Sequence, residues 1–141
     1  MKASIVIANY NNSNFIEECI NSLNSQTYKN IEIIFFDDNS KDNSLDVIKK
    51  FTNVKVIQNN HQTKYGSLNQ MNAFKKSIHL STGDVIFFLD SDDYFRKDKV
   101  EKIINFFSIH KNKKIVFDFP IIIKENKKFS VKKKNNFFNT Y

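Results

Sequence analysis

Three carboxylates fall within four residues at Asp90-Ser91-Asp92-Asp93, directly after the apolar run Val85 to Leu89. Charges of one sign repel at this spacing, and beside a dry strand they are costly unless a cation compensates them. A hard divalent ion, Mn²⁺ or Mg²⁺, takes oxygen ligands and keeps positions for phosphate oxygens. In extended chain, residues two apart point the same way, so Asp90 and Asp92 share one side. One of these carboxylates can bind the ion while the other reaches a ribose hydroxyl or a metal-bound water. An ion held there neutralises charge that develops on a diphosphate leaving group. A helix cap at Asp92 or Asp93 is the plainer role, but it accounts for one acid and not for three.

A second acidic pair, Asp37-Asp38-Asn39-Ser40, follows the apolar run Ile31 to Phe36. A carboxylate in this place can accept from the imide N–H of uracil or thymine, or from the amino group of guanine. Asp38 is the better base contact, and Asp37 is expected to meet backbone amides or solvent. Capping of the following helix is the alternative for the pair. Asn9-Tyr10-Asn11 closes the first apolar run. Tyr10 is placed there to stack on or flank a nucleobase, unless the segment is simply an asparagine-rich turn. The one cysteine, Cys19, excludes an internal disulfide and a cysteine-built metal site. Its position inside a helical pattern reads as a buried structural thiol.

Strands must carry these tips. Ser4 to Ala8, Ile31 to Phe36, Val54 to Ile57 and Val85 to Leu89 are short, β-branched or aromatic runs, as expected of strands buried on both faces. Helices fit between them. The first, capped by Ser13 or Asn14, repeats Phe15, Ile16, Cys19, Ile20 and Leu23. The second, capped by Asp42 or Ser44, turns Leu45 and Ile48 inward. The third, about Ser67 to Leu80, has the stripe Leu68, Met71, Phe74 and Ile78, with Gly83 suited to a left-handed position after it. The fourth, about Lys97 to His110, turns Val100, Ile103, Ile104 and Phe107 inward. Ile115 to Phe119 and Ile121 to Ile123 are further strand candidates. This alternation predicts an α/β fold with a mostly parallel sheet and helices on both faces. In such sheets ligands bind beyond the carboxyl ends of the strands, where the three polar tips lie.

The 141 residues suffice for one core. No apolar run approaches the ~18 residues of a membrane span, and the N-terminus shows no signal-peptide pattern. The net charge of +7 is uneven: residues 1–95 carry −2 and residues 96–141 carry +9. The lysine-rich end is a solvated face or a contact for an anionic membrane. Aromatics are not interleaved with its lysines as a stacking platform requires, so no nucleic-acid partner is expected. A phosphoacceptor receiver or a phosphatase would place its acids after the first strand, where this chain has Asn9-Tyr10-Asn11.

Taken together, the chain resembles the GT-A fold glycosyltransferases, and among them the inverting glycosyltransferase family 2. The resemblance is carried by Ser4-Ile5-Val6-Ile7 with Asn9-Tyr10-Asn11, Ser25-Gln26-Thr27-Tyr28, Asp37-Asp38-Asn39-Ser40-Lys41-Asp42, and Gly83-Asp84 leading to Phe88-Leu89-Asp90-Ser91-Asp92-Asp93. It covers about residues 3–120. It implies a GT-A, Rossmann-like nucleotide-sugar-binding domain over residues 1–123 and a basic C-terminal segment over 124–141, the start of an acceptor region. It implies transfer, with inversion, from a nucleotide-diphosphate sugar (a UDP-sugar first) to a hydroxyl of a glycan, lipid-linked or protein acceptor, in the cytoplasm or at the inner face of the cell membrane. Ala8, Asn9, Tyr10, Asp38, Gln70, Asp90 and Ser91 would hold the donor. Asp92, with Asp90, would hold the Mn²⁺ or Mg²⁺ ion, Asp90 also facing ribose and diphosphate. Gly66 and Ala73-Phe74 resemble the helix beside the nucleotide, where Lys75 stands in place of an asparagine and is expected to face solvent. No residue after Asp93 matches the family's general base; Asp118 and Glu125 are the late acids. A chain without that base is a donor-binding portion or a non-catalytic binding module.

Overall fold

The computed structural model describes residues 1–60, 62–117, 121–124 and 127–130. It divides into two compact units, Met1–Ile104 and Asn105–Tyr141. In the first, β1 (Ala3–Asn9), β2 (Ile31–Asp37), β3 (Val54–Gln58) and β4 (Val85–Asp90) form a sheet in the order β3-β2-β1-β4. Every pairing is parallel, with Ile5 opposite Ile33 and Phe87, and Ala8 opposite Phe36 and Asp90. This register brings the polar tips of β1, β2 and β4 level at one edge.

The core lies on one face of the sheet. Ile5, Ile7, Ile33, Phe35, Phe87 and Leu89 meet Ile16, Cys19, Ile20 and Leu23 of α1 (Ser13–Asn24), Ile48 of α2 (Ser44–Ile48), and Val100 and Ile104 of α4 (Lys99–Ile109). Gln26, fully buried, ties this layer together. Its Nε2 donates to the Ser22 and Arg96 carbonyls at 3.0 and 2.8 Å, and its Oε1 accepts the Val100 N–H at 3.1 Å. That use of both ends of one amide gives a physical reason for the Ser-Gln-Thr-Tyr stretch. Phe15, expected inside, is about half exposed. The residue preceding α1 is Asn12, and neither Ser13 nor Asn14 acts as its cap. The Ser13 N–H is satisfied instead by Asp42 Oδ2 at 2.9 Å, from the loop after β2.

The other face is covered by α3 (Gly66–His79), which packs over β1 and β2. Its buried residues are Ala73 and Ser77, one turn apart, whereas Leu68, Met71 and Ile78 of the expected stripe are exposed. Small side chains let the helix lie close to the sheet, and the bulky ones flank that line of contact. Phe74 meets Phe88 of the edge strand β4 edge-to-face at 4.9 Å.

Gly83 is not in a left-handed conformation. It is needed because the chain passes too close to β1 for a side chain: an added Cβ would lie 2.5 Å from Ser4 Oγ and 2.7 Å from Ser4 N. A network joins Lys2, Ser4, Glu32 and Thr82 here, at the end of the sheet away from the polar tips. Burial alone would raise the Glu32 carboxyl, but hydrogen bonds from Lys2, Ser4 and Thr82 outweigh it and lower the group to about 2.

In the second unit, β5 (Ile121–Lys124) and β6 (Lys127–Ser130) pair as an antiparallel hairpin. The strand candidate at Ile121 is thus paired with its own neighbour and is not a further parallel strand of the first sheet. Of the other candidate, Ile115 to Phe117 are not strand, and residues 118 and 119 lie outside the described residues, as do Pro120 and Glu125. Among the described residues no helix is long and apolar enough to cross a membrane.

Candidate functional site

The carboxyl ends of β1, β2 and β4 open into a cleft of about 490 Å³, within the range of small-molecule sites. Ala8, Asn9, Tyr10 and Asn12 come from the end of β1 and the turn after it. Asp38 follows β2, Asp90 ends β4 and Asp92 follows it, and Gly66, Gln70 and Ala73 belong to α3. Residues 62–64, in the loop after β3, complete the wall.

Two turns set the shape. Asn11 and Asn39 have positive φ, 54° and 58°, a conformation asparagine tolerates better than most residues. The turns are stitched together. The Asn11 N–H donates to Ser40 Oγ at 3.0 Å, and the Lys41 N–H donates to Asn11 Oδ1 at 2.7 Å. Asp37 sits beneath them, fully buried. It accepts Asn9 Nδ2 at 2.8 Å, Ser40 Oγ at 2.6 Å and the Ser40 N–H at 3.0 Å. The expected amide contact is present, and solvent does not reach the group. Asp42 accepts the Ser44 N–H and hydroxyl at 3.0 and 2.6 Å. Burial would raise its carboxyl, but the bonds from Ser44 and Ser13 hold it at about 2.

Asp38 is held by two amides. Asn59 Nδ2 donates to its Oδ1 at 2.7 Å, and Gln62 Nε2 donates to its Oδ2 at 3.0 Å. At the other end of the cleft, Gln70 Nε2 donates to Asp90 Oδ1 at 2.7 Å. Ser91 is not on the cleft wall. It is fully buried, and its hydroxyl accepts Asn12 Nδ2 at 3.0 Å, so it anchors the turn after β4 against the turn after β1. Tyr10 is about half exposed on the cleft wall. Lys75 is exposed, as expected, and the next residue, Lys76, reaches Asn59 Oδ1 at 3.2 Å.

The three acids at the end of β4 and just after it do not act as one set. Among the described residues no group of three or more His, Cys, Asp or Glu side chains is arranged to hold a metal ion. Asp93 is not on the cleft wall. Partial burial raises its carboxyl, the charges of Asp92 and Asp90 add to that, and Lys99 opposes it. Asp93 thus stands near the other two acids, but the cleft receives only Asp90 and Asp92. Two carboxylates leave most of a six-oxygen shell open, which suits an ion that arrives with, and is completed by, a diphosphate.

The sequence singled out Ala8, Asn9, Tyr10, Asp38, Gln70, Asp90, Ser91 and Asp92; all but Ser91 line this cleft. It missed Asn12, which braces Ser91, and Asn59 and Gln62, which hold Asp38. The one signal for the last two is their place in a polar loop after the third strand, at the same sheet edge.

The family model for glycosyl transferase family 2 matches residues 4–141. An uncharacterized glycosyltransferase of Nostoc sp. is 37% identical over 112 residues, covering 76% of this chain and 33% of its own length. The Escherichia coli UDP-Glc:alpha-D-GlcNAc-diphosphoundecaprenol beta-1,3-glucosyltransferase WfaP is 38% identical over 108 residues, covering 77% of this chain and 42% of its own. The crystal structure of S. aureus TarS in complex with UDP-GlcNAc superposes with a TM-score of 0.68 at 26% identity, over 87% of this chain and 40% of that one. The chain therefore spans less than half the length of these relatives.

Proposed function

The chain belongs to glycosyl transferase family 2, and on that footing we propose that its cleft binds a nucleotide-diphosphate sugar, a UDP-sugar first, for transfer to an acceptor hydroxyl. The observation that carries this reading is the single cleft with Asp38 at one end and Asp90, Asp92 and Gln70 at the other. Asp38 accepts from the imide N–H of the base, and Tyr10 flanks the ring. The backbone of residues 8–10 lines the nucleotide. Asp90 faces ribose and diphosphate, oriented by Gln70. Asp92, with Asp90, would hold Mn²⁺ or Mg²⁺, and such an ion supplies charge neutralisation to the departing nucleoside diphosphate. Transfer with inversion is one displacement at the anomeric carbon. The acceptor oxygen bonds as the bond to diphosphate breaks, and the hydroxyl proton passes to a carboxylate base. That base is assigned to none of the described residues.

The donor class is supported by the UDP-sugars named for WfaP and for the TarS complex. The name of WfaP also states a lipid-linked acceptor. A lipid-linked glycan is accordingly the acceptor we favour, reached at the inner face of the membrane with the basic segment 124–141 against anionic headgroups.

The test is a thermal-shift series with UDP, dTDP, GDP and CDP, each with and without Mn²⁺. Stabilisation that needs both metal and nucleotide, and disappears in Asp92→Ala, is the expected result. Equal stabilisation of wild type and Asp92→Ala would remove the metal from the reading, and no stabilisation by any nucleotide would remove the donor site.

A further inference from the structure

Building on the donor-site reading above, we infer that Gln62 is a second reader of the nucleobase and that it selects the oxo-imide edge of uracil or thymine against cytosine. Asp38 is a fixed acceptor, only 6% exposed. The Asn59 amide is oriented from both ends: Lys76 Nζ donates to its Oδ1, so its nitrogen must be the end turned to Asp38. Gln62 approaches the other carboxylate oxygen. Its Nε2 donates to Asp38 Oδ2 at 3.0 Å and also to the Asp38 carbonyl oxygen. Gln62 and Asp38 both stand on the cleft wall, so a ligand at this end meets an acceptor and an amide donor side by side.

That pair has a chemical complement. The uracil edge carries an N–H at position 3 between two carbonyls. The N–H donates to the Asp38 carboxylate. The Gln62 N–H now spent on the Asp38 carbonyl turns to the base carbonyl at position 4, while its other N–H stays on Oδ2. Cytosine reverses both positions: its bare ring nitrogen faces the carboxylate, and its amino group faces the Gln62 N–H. Facing like with like beside a carboxylate this buried leaves polar groups unpaired, and such mismatches are what give large discrimination. Guanine offers an adjacent carbonyl and N–H of the same kind, so the comparison belongs within the pyrimidines.

The test is titration calorimetry of the chain with UDP, dTDP and CDP in Mn²⁺, for wild type, Gln62→Leu and Gln62→Glu, with thermal melts to verify folding. Wild type is expected to bind UDP and dTDP about tenfold or more tighter than CDP, and Gln62→Leu to weaken UDP by about tenfold with CDP little changed. Gln62→Glu turns the donor into an acceptor, so the UDP-to-CDP ratio should fall further, toward preference for CDP. An unchanged ratio in both variants overturns the role of Gln62. Tighter UDP binding by Gln62→Leu overturns it also, because the side chain would then only plug Asp38. Failure of the donor-site reading looks different: no nucleotide binds the wild type, and both proposals fall together.

Discussion

The chain contains two glycines, Gly66 and Gly83, and the structure predicts opposite responses to the same substitution. Neither has a positive φ, so backbone conformation does not decide the outcome. At Gly83 an added Cβ meets Ser4 Oγ at 2.5 Å, Ser4 N at 2.7 Å and the Lys2 carbonyl oxygen at 2.9 Å. Two of these atoms are backbone. They cannot retreat easily, since Lys2 O accepts the Asp84 and Val85 N–H groups at 2.8 and 3.2 Å and Ser4 lies in register between Glu32 and Ile86. The Gly83 N–H bond to Ser4 Oγ, at 2.8 Å, would be distorted by the new Cβ as well. Overpacking of this kind costs about 1–3 kcal/mol, and a weakened hydrogen bond adds about 1, so Gly83→Ala should lose ~2–4 kcal/mol. At roughly 4 °C per kcal/mol for a domain of this size, Tm falls by ~8–16 °C. At Gly66 no atom lies within 4 Å of the new Cβ, and the residue opens α3. Ala there restricts the unfolded chain and should gain about 0.4–1 kcal/mol, raising Tm by a few degrees. Far-UV circular dichroism melts of both variants decide the matter. A Gly83→Ala loss under about 0.5 kcal/mol, or movement of both variants in the same direction, refutes the argument from close approach.

Glu32 contributes pH-dependent stability. Its carboxyl is lowered to about 2 from the ordinary 4.5, so its contribution is complete above pH 4.5 and is lost as pH falls toward 2. After solvent screening we expect roughly 1–2 kcal/mol, seen as a Tm gap between wild type and Glu32→Gln that closes across that window; a pH-independent gap contradicts it. Cys19 is 1% exposed, and burial, then the charges of Asp93, Asp92 and Asp90, push its thiol up to about 12. Aromatic disulfide reagents should therefore label the native chain only at the rate of its opening and the urea-unfolded chain at once, whereas immediate native labelling would place Cys19 outside the core.

The legible parts of this protein share a physical property. A strand buried on both faces must be apolar along its whole length, so β1 and β2 were readable without knowing their neighbours; β4 has the same apolar run, yet it is an edge strand and its Phe88 is about half exposed. Acids at the ends of such strands need compensation, so Asp38, Asp90 and Asp92 were readable too. The periodicity of α3 showed an apolar stripe but not which line of it meets the sheet. Close approach chose Ala73 and Ser77, the small residues, over Leu68, Met71 and Ile78. Gly83 looked like a left-handed helix terminator because that is the commoner demand on glycine. Its actual reason, the passage of β1, lies 79 residues away in sequence.

The same property explains what stayed hidden in the site. A neutral amide can be exposed or buried at modest cost, so Asn12, Asn59 and Gln62 show nothing beyond their place in a polar stretch until the fold brings a carboxylate or hydroxyl to them. Asp37 and Asp38 show the contrast, because adjacent identical acids have opposite surroundings. Asp37 has its oxygens taken by Asn9 and Ser40 inside the protein and shapes the turns. Asp38 is held by amides yet stands on the cleft wall. Strand alternation sends neighbouring side chains to opposite sides. One acid can therefore build the sheet edge while the next lines the cleft, which is the arrangement the proposed base contact of Asp38 requires.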